Sequence, residues 1–399
     1  MTRQQRIGIL SDSFDPVHCE QIRVGLNALN AGMLDLLIVV PAADSPCSPC
    51  DACAEDRWKM LVSACACDDR LIPSRIEMER SESVSLFKTL TVMKKQYPGA
   101  DLCNLIGYDV LKSLLFSPQL RNILKLCSFL IYLSGEEADA VPVREALSRL
   151  AELGGRFRLL SFDTPGISPS SVPASFTSGK SLENLDPSVL EYCICKGLYG
   201  CPRRIEHIDA WIDRLFASLK PRRFAHSLSV ALTARQLAEH YGLDPLKAEQ
   251  AGLLHDCAKC LPLSEMKRIA AEHHLTDDST VFESSALLHS LVGAWLAEKQ
   301  YGITDQDILD SIRYHNTGMA GMSRLAMCVC LSDSIEPLRQ SYPLLDQVRD
   351  LSMISLERSL LLSLEGTAEY VKARGKYLHP RTLNTIGWLK QLPAVQKST

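Results

Sequence analysis

Histidine and aspartate, two side chains that bind transition metals, are spaced along the second half of the sequence. His255 and Asp256 are adjacent at the end of an apolar segment, while His226 and Asp333 lie in segments before and after them. Adjacent His and Asp side chains can bind one divalent ion if the end of a helix turns both toward a common point. Mixed His and Asp ligation favours iron, manganese or another transition metal over calcium. The order of these residues therefore predicts a metal site.

Two more histidines extend this set. His289 and His315 each lie at the beginning or end of a predicted helix, and they could supply nitrogen ligands to a second ion. Two close metal ions can hold a phosphoryl group and convert water to hydroxide near neutral pH. Lys259, in His255-Asp-Cys-Ala-Lys259, could neutralise phosphate charge in the transition state. This half of the chain therefore predicts phosphoryl chemistry.

The region that carries these residues, from about residue 203 onward, has apolar residues at helical spacing and no strand pattern. It follows a predicted linker at Gly197 to Pro202. The predicted helices are Ile205–Leu219, Phe224–Tyr241, Pro245–His255, Leu287–Tyr301, Gln306–Tyr314, Ser323–Ile335 and Ile354–Tyr370. We therefore predict an all-helical domain in the second half.

Residues 1 to about 200 have a different pattern, in which short apolar strands alternate with helices such as Arg57–Ala66 and Ser85–Gln96. This alternation predicts βαβ units and a parallel sheet. The predicted strands are Arg6–Leu10, Leu34–Val40, Leu102–Ile106, Phe129–Leu133 and Arg158–Phe162.

The helical half resembles a known family over nearly all of residues 203–392. The matching stretches are Arg223-Phe-Ala-His226-Ser-Leu-Ser-Val230, Gly252–Pro262, Leu288–Ala294, Ile312–Gly318, Ser332–Pro337 and His379–Trp388. The order H…HD…D is that of the HD superfamily, and the longer stretches resemble its members that cleave diadenosine tetraphosphate symmetrically into two ADP. The resemblance implies a nucleotide substrate and an HD domain over residues 203–392.

The same resemblance implies a site. It assigns phosphate contacts to Lys259, Thr317 and Arg339, makes Asp256 catalytic as well as a ligand, and leaves Glu336 as a supporting or helix-ending residue. The implied metals are two irons, with manganese left open. The implied ligands are His226, His255, Asp256, His289, His315 and Asp333. Asn316 and Asn384 depart from the usual residues of the family.

The first half resembles the nicotinate-nucleotide adenylyltransferases over residues 6 to about 200. Ser11-Asp-Ser-Phe-Asp-Pro-Val-His18 follows the first strand, as the nucleotide-binding signature of that family does, and Leu105-Ile-Gly-Tyr-Asp109 matches a second motif. Leu185–Tyr192 and Leu198-Tyr199 match the end of the family. The resemblance implies a Rossmann-like nucleotidyltransferase domain over residues 1–200, with His18 and Asp109 in a vestigial nucleotide site.

Several residues that would hold ATP in that family are replaced here. Ser11 and Asp12 stand where the family has two glycines, Gln21 replaces its second histidine, and Pro173 replaces its motif arginine. The usual lysine falls at about Ser48. Asp12 would place negative charge where a phosphate should approach. We therefore predict a catalytically inactive domain fused to a hydrolase. Two alternatives stay open: a bifunctional enzyme that also makes the dinucleotide of the NAD pathway, and a nucleotide sensor or scaffold that regulates the hydrolase.

Two other motifs are weaker. Cys47, Cys50 and Cys53 could hold an iron-sulfur cluster or zinc, but position 57 is arginine, so a thiol-lined surface loop is the preferred interpretation. Ala174–Ser181 fits a loose Walker A pattern, but prolines precede it where a P-loop needs a strand.

Composition limits the remaining classes. The 399 residues carry 43 basic and 47 acidic side chains, a net charge of -4, so nothing indicates nucleic acid as a partner. No apolar run reaches the roughly 18 residues of a membrane helix, and no signal peptide is evident. The 15 cysteines are not paired at framework-like spacings and indicate reduced thiols. We expect a cytoplasmic protein without a membrane partner; whether it forms a homodimer is left open.

Overall fold

A computed structural model of the chain describes residues 4–43, 50–79, 85–133, 141–161 and 184–396. The chain forms two compact units. The first comprises Met1–Val189 and Leu198–Cys201, and the second comprises Leu190–Gly197 and Pro202–Thr399. The domain bounds 1–200 and 203–392 stay predictions. Cys47, Ser48, Pro173 and the Walker-like segment lie outside the described residues.

The first unit contains a six-stranded parallel sheet, which confirms the α/β prediction. Its strand order is β3-β2-β1-β4-β5-β6. The order reverses between β1 and β4, and ligands of such sheets bind at the carboxyl ends of the strands beside this point. The strands are β1 Arg6–Asp12, β2 Leu36–Pro41, β3 Leu71–Pro73, β4 Asp101–Gly107, β5 Ser128–Leu133 and β6 Phe157–Ser161. Strand β3 was not predicted, because it has only three residues.

Helices connect these strands and bury their apolar faces against the sheet. One core cluster joins residues of β1, β4 and β5 to α3, α4 and α6. The helices are α1 Cys19–Asn30, α2 Ala54–Cys65, α3 Leu86–Gln96, α4 Tyr108–Leu115, α5 Leu120–Leu126 and α6 Val141–Glu152. Helix α7, Pro187–Lys196, follows the last strand, and most of it belongs to the second unit.

Arg57 ties the loop after β1 to the loop after β2. Its side chain is 0% exposed, and Nη1 donates to the carbonyl oxygens of Ser13 and Ala42 at 2.7 and 2.9 Å. A buried carbonyl that loses its donor destabilises a fold by about 1–3 kcal/mol. Arg57 therefore holds the edge of the sheet where a nucleotide would bind.

Replacing Arg57 by alanine should lower the free energy of unfolding of the first unit by about 3 kcal/mol, because two carbonyls lose their donor and a cavity opens. Hydrogen exchange of the β1 and β2 amides measures this locally in a chain of two units. Arg149→Ala removes a mostly exposed arginine that pairs with Glu152 and is the control. Equal protection in both variants would contradict the role of Arg57.

The second unit is helical throughout its described residues, as predicted. The helices are α8 Ile208–Ser218, α9 Pro221–His240, α10 Pro245–Leu254, α11 Leu263–Glu272, α12 Ser279–Phe282, α13 Ser285–Tyr301, α14 Gln306–Tyr314, α15 Arg324–Ile335, α16 Leu345–Ser352, α17 Leu356–Ala373, α18 Pro380–Gln391 and α19 Pro393–Gln396. Among the described residues, none of the helices is both long and apolar enough to cross a membrane.

Helices α9 and α10 approach each other closely at Gly252. A Cβ atom there would lie 2.9 Å from the Cα of Ala231, so a larger residue would force the backbones apart. Helix α10 begins at Pro245 after Asp244, whose side chain accepts hydrogen bonds from the amides of the first turn. This packing brings the end of α10 beside the first half of α9.

Candidate metal centre

The six predicted ligands come together in the second unit. Their ligand atoms form three overlapping groups of three, and within each group the atoms lie within 4.8 Å of one another. Five different helices contribute, since His315 and the His255-Asp256 pair directly follow helix ends. The residues are His226 on α9, His255 and Asp256 after α10, His289 on α13, His315 after α14 and Asp333 on α15.

Three of the four histidines are oriented by their own helices. His255, His289 and His315 direct Nδ1 at a carbonyl oxygen three or four residues earlier, at 2.6, 3.2 and 2.8 Å. Because a carbonyl only accepts a hydrogen bond, each neutral ring carries its proton on Nδ1. The Nε2 lone pair is then available for a metal.

The fourth histidine is oriented from another helix. His226 Nδ1 lies 3.0 Å from Oε1 of Glu336, a buried carboxylate at the end of α15. A carboxylate that accepts from the second nitrogen of a metal-binding histidine fixes the ring and raises its basicity. Burial lowers the pKa of His226, but Asp333 and Glu336 outweigh burial and raise it to about 9. A metal ion bound at Nε2 would therefore displace a proton from this ring.

The Nε2 atoms converge on two carboxylates. Asp256 Oδ1 is 3.2 Å from His289 Nε2 and 3.7 Å from His315 Nε2, whereas its Oδ2 is 3.6 Å from His255 Nε2 and 4.0 Å from His226 Nε2. Each oxygen of Asp256 thus faces a different pair of histidines. If metal is bound, Asp256 would therefore help to hold it together with both pairs of histidines.

Asp333 completes one side of the cluster. Its Oδ1 lies 3.0 Å from His226 Nε2 and 3.9 Å from His255 Nε2. Burial raises the pKa values of Asp256 and Asp333, but the neighbouring histidines and cations outweigh burial and hold both pKa values well below the usual range. Both carboxylates are therefore anions that can bind a cation.

Several buried atoms of the cluster make no aligned hydrogen bond with the described residues. They are His226 Nε2, His255 Nε2 and Asp256 Oδ1, although other polar atoms lie within 3.0 to 3.6 Å of each. Buried polar groups normally have partners. Lone pairs that face one another at such distances are what divalent metal ligation satisfies, so the donor set fits a metal.

Burial keeps His289 and His315, the two histidines that face Oδ1 of Asp256, neutral. It lowers the pKa of His289, and together with the nearby histidines it lowers the pKa of His315 to about 3. The Nε2 atoms of these two rings are 3.2 Å apart. Neutral imidazole is the form that binds metal.

Two of the predicted phosphate contacts lie beside the ligands. Lys259 Nζ is 3.5 Å from Asp256 Oδ1 and 3.0 Å from His289 Nε2, and Arg339 Nη1 is 3.5 Å from Asp333 Oδ1. The third, Thr317, is buried and donates its hydroxyl to the carbonyl oxygen of Gly318. The roles of all three residues stay predictions.

One cation beside the ligands was not predicted. Arg223 Nη1 lies 2.8 Å from Asp256 Oδ2. The available signal was its spacing, since Arg223 precedes His226 by three residues and therefore lies on the same face of α9.

A separate group with metal-ligand chemistry, Glu191, Cys195 and Glu249, is also buried in the second unit. Arg204 and Arg235 lie 3.3 and 2.8 Å from Oε2 of Glu249. Burial and the charge of Glu249 raise the pKa of Glu191. Both guanidinium groups pair with Glu249, so this group is a buried ion-pair network.

The predicted vestigial site of the first unit is arranged differently. His18 is buried just before α1, whereas the Asp109 side chain is 88% exposed and pairs with Lys112. Gln21 Oε1 accepts from the amide of His18, and its Nε2 donates to Asp12 Oδ2, both at 2.8 Å. Gln21, which replaces the second histidine of the resembled family, thus anchors the carboxylate of Asp12, which replaces one of its glycines.

Comparison with known proteins divides the chain in the same way. Residues 223–338 match the HD domain family, and residues 11–172 match the cytidylyltransferase-like family. The chain therefore combines a parallel-sheet nucleotidyltransferase-like domain with a helical HD domain, which confirms the predicted fold class. HD domains bind divalent metal, in agreement with the donor set.

Individual relatives match one half or the whole chain. A solved HD superfamily hydrolase from Clostridium acetobutylicum is 35% identical, with a TM-score of 0.45, and the match covers 47% of this chain and 98% of that one. The probable nicotinate-nucleotide adenylyltransferase/Ap4A hydrolase of Mycoplasma genitalium is 27% identical over 379 residues, 92% of this chain and 99% of its own length.

The symmetrical bis(5'-nucleosyl)-tetraphosphatase of Bacillus subtilis is 38% identical over 175 residues, which are 43% of this chain and 91% of the relative. A homologue from Halalkalibacterium halodurans with the same name is 36% identical and is covered over 90% of its length. Over its carboxy-terminal half, the chain therefore belongs to the family of symmetrical bis(5'-nucleosyl)-tetraphosphatases.

Proposed function

We propose that the HD domain hydrolyses dinucleoside polyphosphates, with diadenosine tetraphosphate cleaved symmetrically into two ADP. The observation that carries the proposal is the convergence of four histidine Nε2 atoms on Asp256 and Asp333. Such a donor set suits two divalent transition metals. Membership of the tetraphosphatase family supports the choice of substrate.

Metals bound there would supply Lewis acidity, which lowers the pKa of water and withdraws charge from phosphoryl oxygens. The contribution of the chain is to fix the ligands. The helix carbonyls and Glu336 hold the rings in one tautomer, and Asp256 presents one oxygen to each pair of histidines. Lys259, Arg339 and Thr317 would contact phosphate oxygens and orient the polyphosphate for attack from one side.

We propose iron for both metal positions, with manganese as the alternative. Imidazole and carboxylate ligands suit either ion, and nothing in the ligand distances separates them. Metal analysis of the purified protein identifies the ions and their number.

The decisive experiment is hydrolysis of diadenosine tetraphosphate by the purified full-length protein, with metal content read on the same sample. We expect ADP as the sole nucleotide product and about two metal ions per chain. A product mixture of AMP and ATP would reject symmetrical cleavage. Bound metal without hydrolysis would support the metal site but reject diadenosine tetraphosphate as the substrate.

We propose that the amino-terminal domain no longer transfers adenylyl groups. The support is local: Asp12, held by Gln21, carries negative charge where the backbone of the related enzymes approaches phosphate. The Mycoplasma relative is named for both activities, which favours the bifunctional alternative as the competing proposal. Release of pyrophosphate from ATP and nicotinate mononucleotide by the full-length protein would support that alternative.

A sensor or scaffold role for the first domain is the third possibility. Calorimetry of the full-length protein with ATP and with NAD-type nucleotides tests it, using Asp256→Asn protein to prevent turnover. Because that variant should also lose the metal ions of the HD site, heat that persists in it would favour a nucleotide sensor in the first domain.

We also propose a cytoplasmic location and no nucleic-acid partner. Sedimentation would decide between a monomer and a homodimer.

A further inference from the structure

We infer that Arg223 is a further substrate-binding residue of the hydrolase, which contacts a phosphate of the bound nucleotide through its guanidinium group. The inference rests on the proposed function, because it concerns the phosphate chain of the same substrate. It adds a residue to the phosphate contacts proposed above, and it follows from where Arg223 lies and what it touches.

Arg223 connects the buried ligands to the surface of the site. It lies in the first turn of α9, three residues before His226, so both side chains emerge from the same face of the helix. Nη1 lies 2.8 Å from Asp256 Oδ2. The Asp256 side chain is 2% exposed, whereas the Arg223 side chain is 38% exposed. Arg223 is therefore held at one end and accessible at the other.

The guanidinium group of Arg223 has more N–H donors than its hydrogen bond to Asp256 uses. It carries five N–H donors in a planar fork, and within the described chain Asp256 is the residue to which Arg223 donates. A phosphate group can accept two parallel hydrogen bonds from such a fork. The same side chain can thus hold the ligand carboxylate and bind a phosphate oxygen.

The charges around the ligands favour this role. Arg223 and Lys259 flank Asp256 on different oxygens, and Arg339 lies beside Asp333. By contrast, Arg204 and Arg235 pair with the buried carboxylate of Glu249. Three partly exposed cations beside two carboxylates form a positive rim, and metal ions would add to it. A polyphosphate chain is the ligand whose charge matches such a rim.

The competing explanation is that Arg223 only positions Asp256. A positioning residue would affect metal occupancy, whereas a phosphate contact would affect nucleotide affinity at full metal occupancy. The two roles are therefore separated by measuring metal content and nucleotide binding on the same variants.

The experiment compares Arg223→Ala and Arg223→Lys with Arg222→Ala, which removes the same charge from the adjacent, exposed position of α9. Metal content is measured by elemental analysis, and the Kd for ADP by calorimetry on metal-saturated full-length protein. Arg223→Ala should keep its metal and weaken ADP binding about tenfold to hundredfold, since it loses hydrogen bonds between charged groups. The Kd of Arg223→Lys for ADP should lie between those of the wild type and Arg223→Ala, because lysine keeps the charge but lacks the planar set of N–H donors. Arg222→Ala should change the Kd less than about twofold.

Unchanged ADP affinity in Arg223→Ala would overturn the inference, with or without loss of metal; loss of metal alone would identify a positioning residue. An equal loss of affinity in Arg222→Ala would also overturn it, because the effect would then be one of general charge. Failure of the proposed function looks different. If the wild-type protein binds ADP through Arg223 but does not hydrolyse diadenosine tetraphosphate, the substrate proposal fails while this inference stands.

Discussion

Asp256→Asn should remove both metal ions and lower hydrolysis by at least about a thousandfold. Asp256 is the one ligand among the six whose two oxygens face different pairs of histidines, so the amide would weaken ligation on both sides. Loss of several kcal/mol of metal-dependent transition-state stabilisation corresponds to about three orders of magnitude in rate. Elemental analysis and the ADP-release assay measure the two effects.

The matched control is Asp310→Asn, which makes the same chemical change at a partly exposed aspartate that pairs with Arg313. It should retain metal and activity. Circular dichroism should show that Asp256→Asn stays helical. His255→Ala should likewise lose metal and activity while staying helical. Full metal occupancy in either ligand variant would contradict the ligand assignment.

Glu336→Gln should weaken metal binding by about tenfold to hundredfold, the usual effect of changing a carboxylate that orients a ligand histidine. Glutamine can still accept a hydrogen bond from His226 Nδ1, but it lacks the charge that raises the basicity of the ring. The metal Kd is measured by competition with a chelator of known affinity. The activity at saturating metal should fall much less than the affinity, because the six ligands remain.

Glu365→Gln is the control for this variant, since it changes a more exposed glutamate on α17 that pairs with Lys390. Its metal Kd should equal that of the wild type. An unchanged Kd in Glu336→Gln would mean that the packing of α15 against α9, and not the carboxylate, orients His226.

The clustering of the six predicted ligands could be expected from sequence, because each lies in or directly after a predicted helix and the family resemblance supplies the full set. His255, His289 and His315 are even oriented by carbonyls of their own helices, so their local sequence contains most of their geometry. The fold class followed from the change in apolar periodicity near residue 203 and from the two resemblances.

The features that were not predicted depend on contacts that the spacing of residues in the sequence does not encode. Arg223 touches Asp256 because α9 and α10 approach closely at Gly252, a distance that no local pattern gives. Glu191 and Glu249 are 58 positions apart in the sequence and meet only in the folded unit. Strand β3 is too short for periodicity, and it is recognised only by its pairing with β2.

The ligand atoms come from five helices, of which α9 and α15 also share the contact between His226 and Glu336. An ion bound among them acts as a reversible cross-link, whose strength depends on the concentration of free metal. At about a hundred times its Kd, a bound ion stabilises the folded state by about 2.7 kcal/mol. The resistance of the helical half to unfolding would then follow the metal supply, and starvation for iron or manganese would lower that resistance as well as stop catalysis.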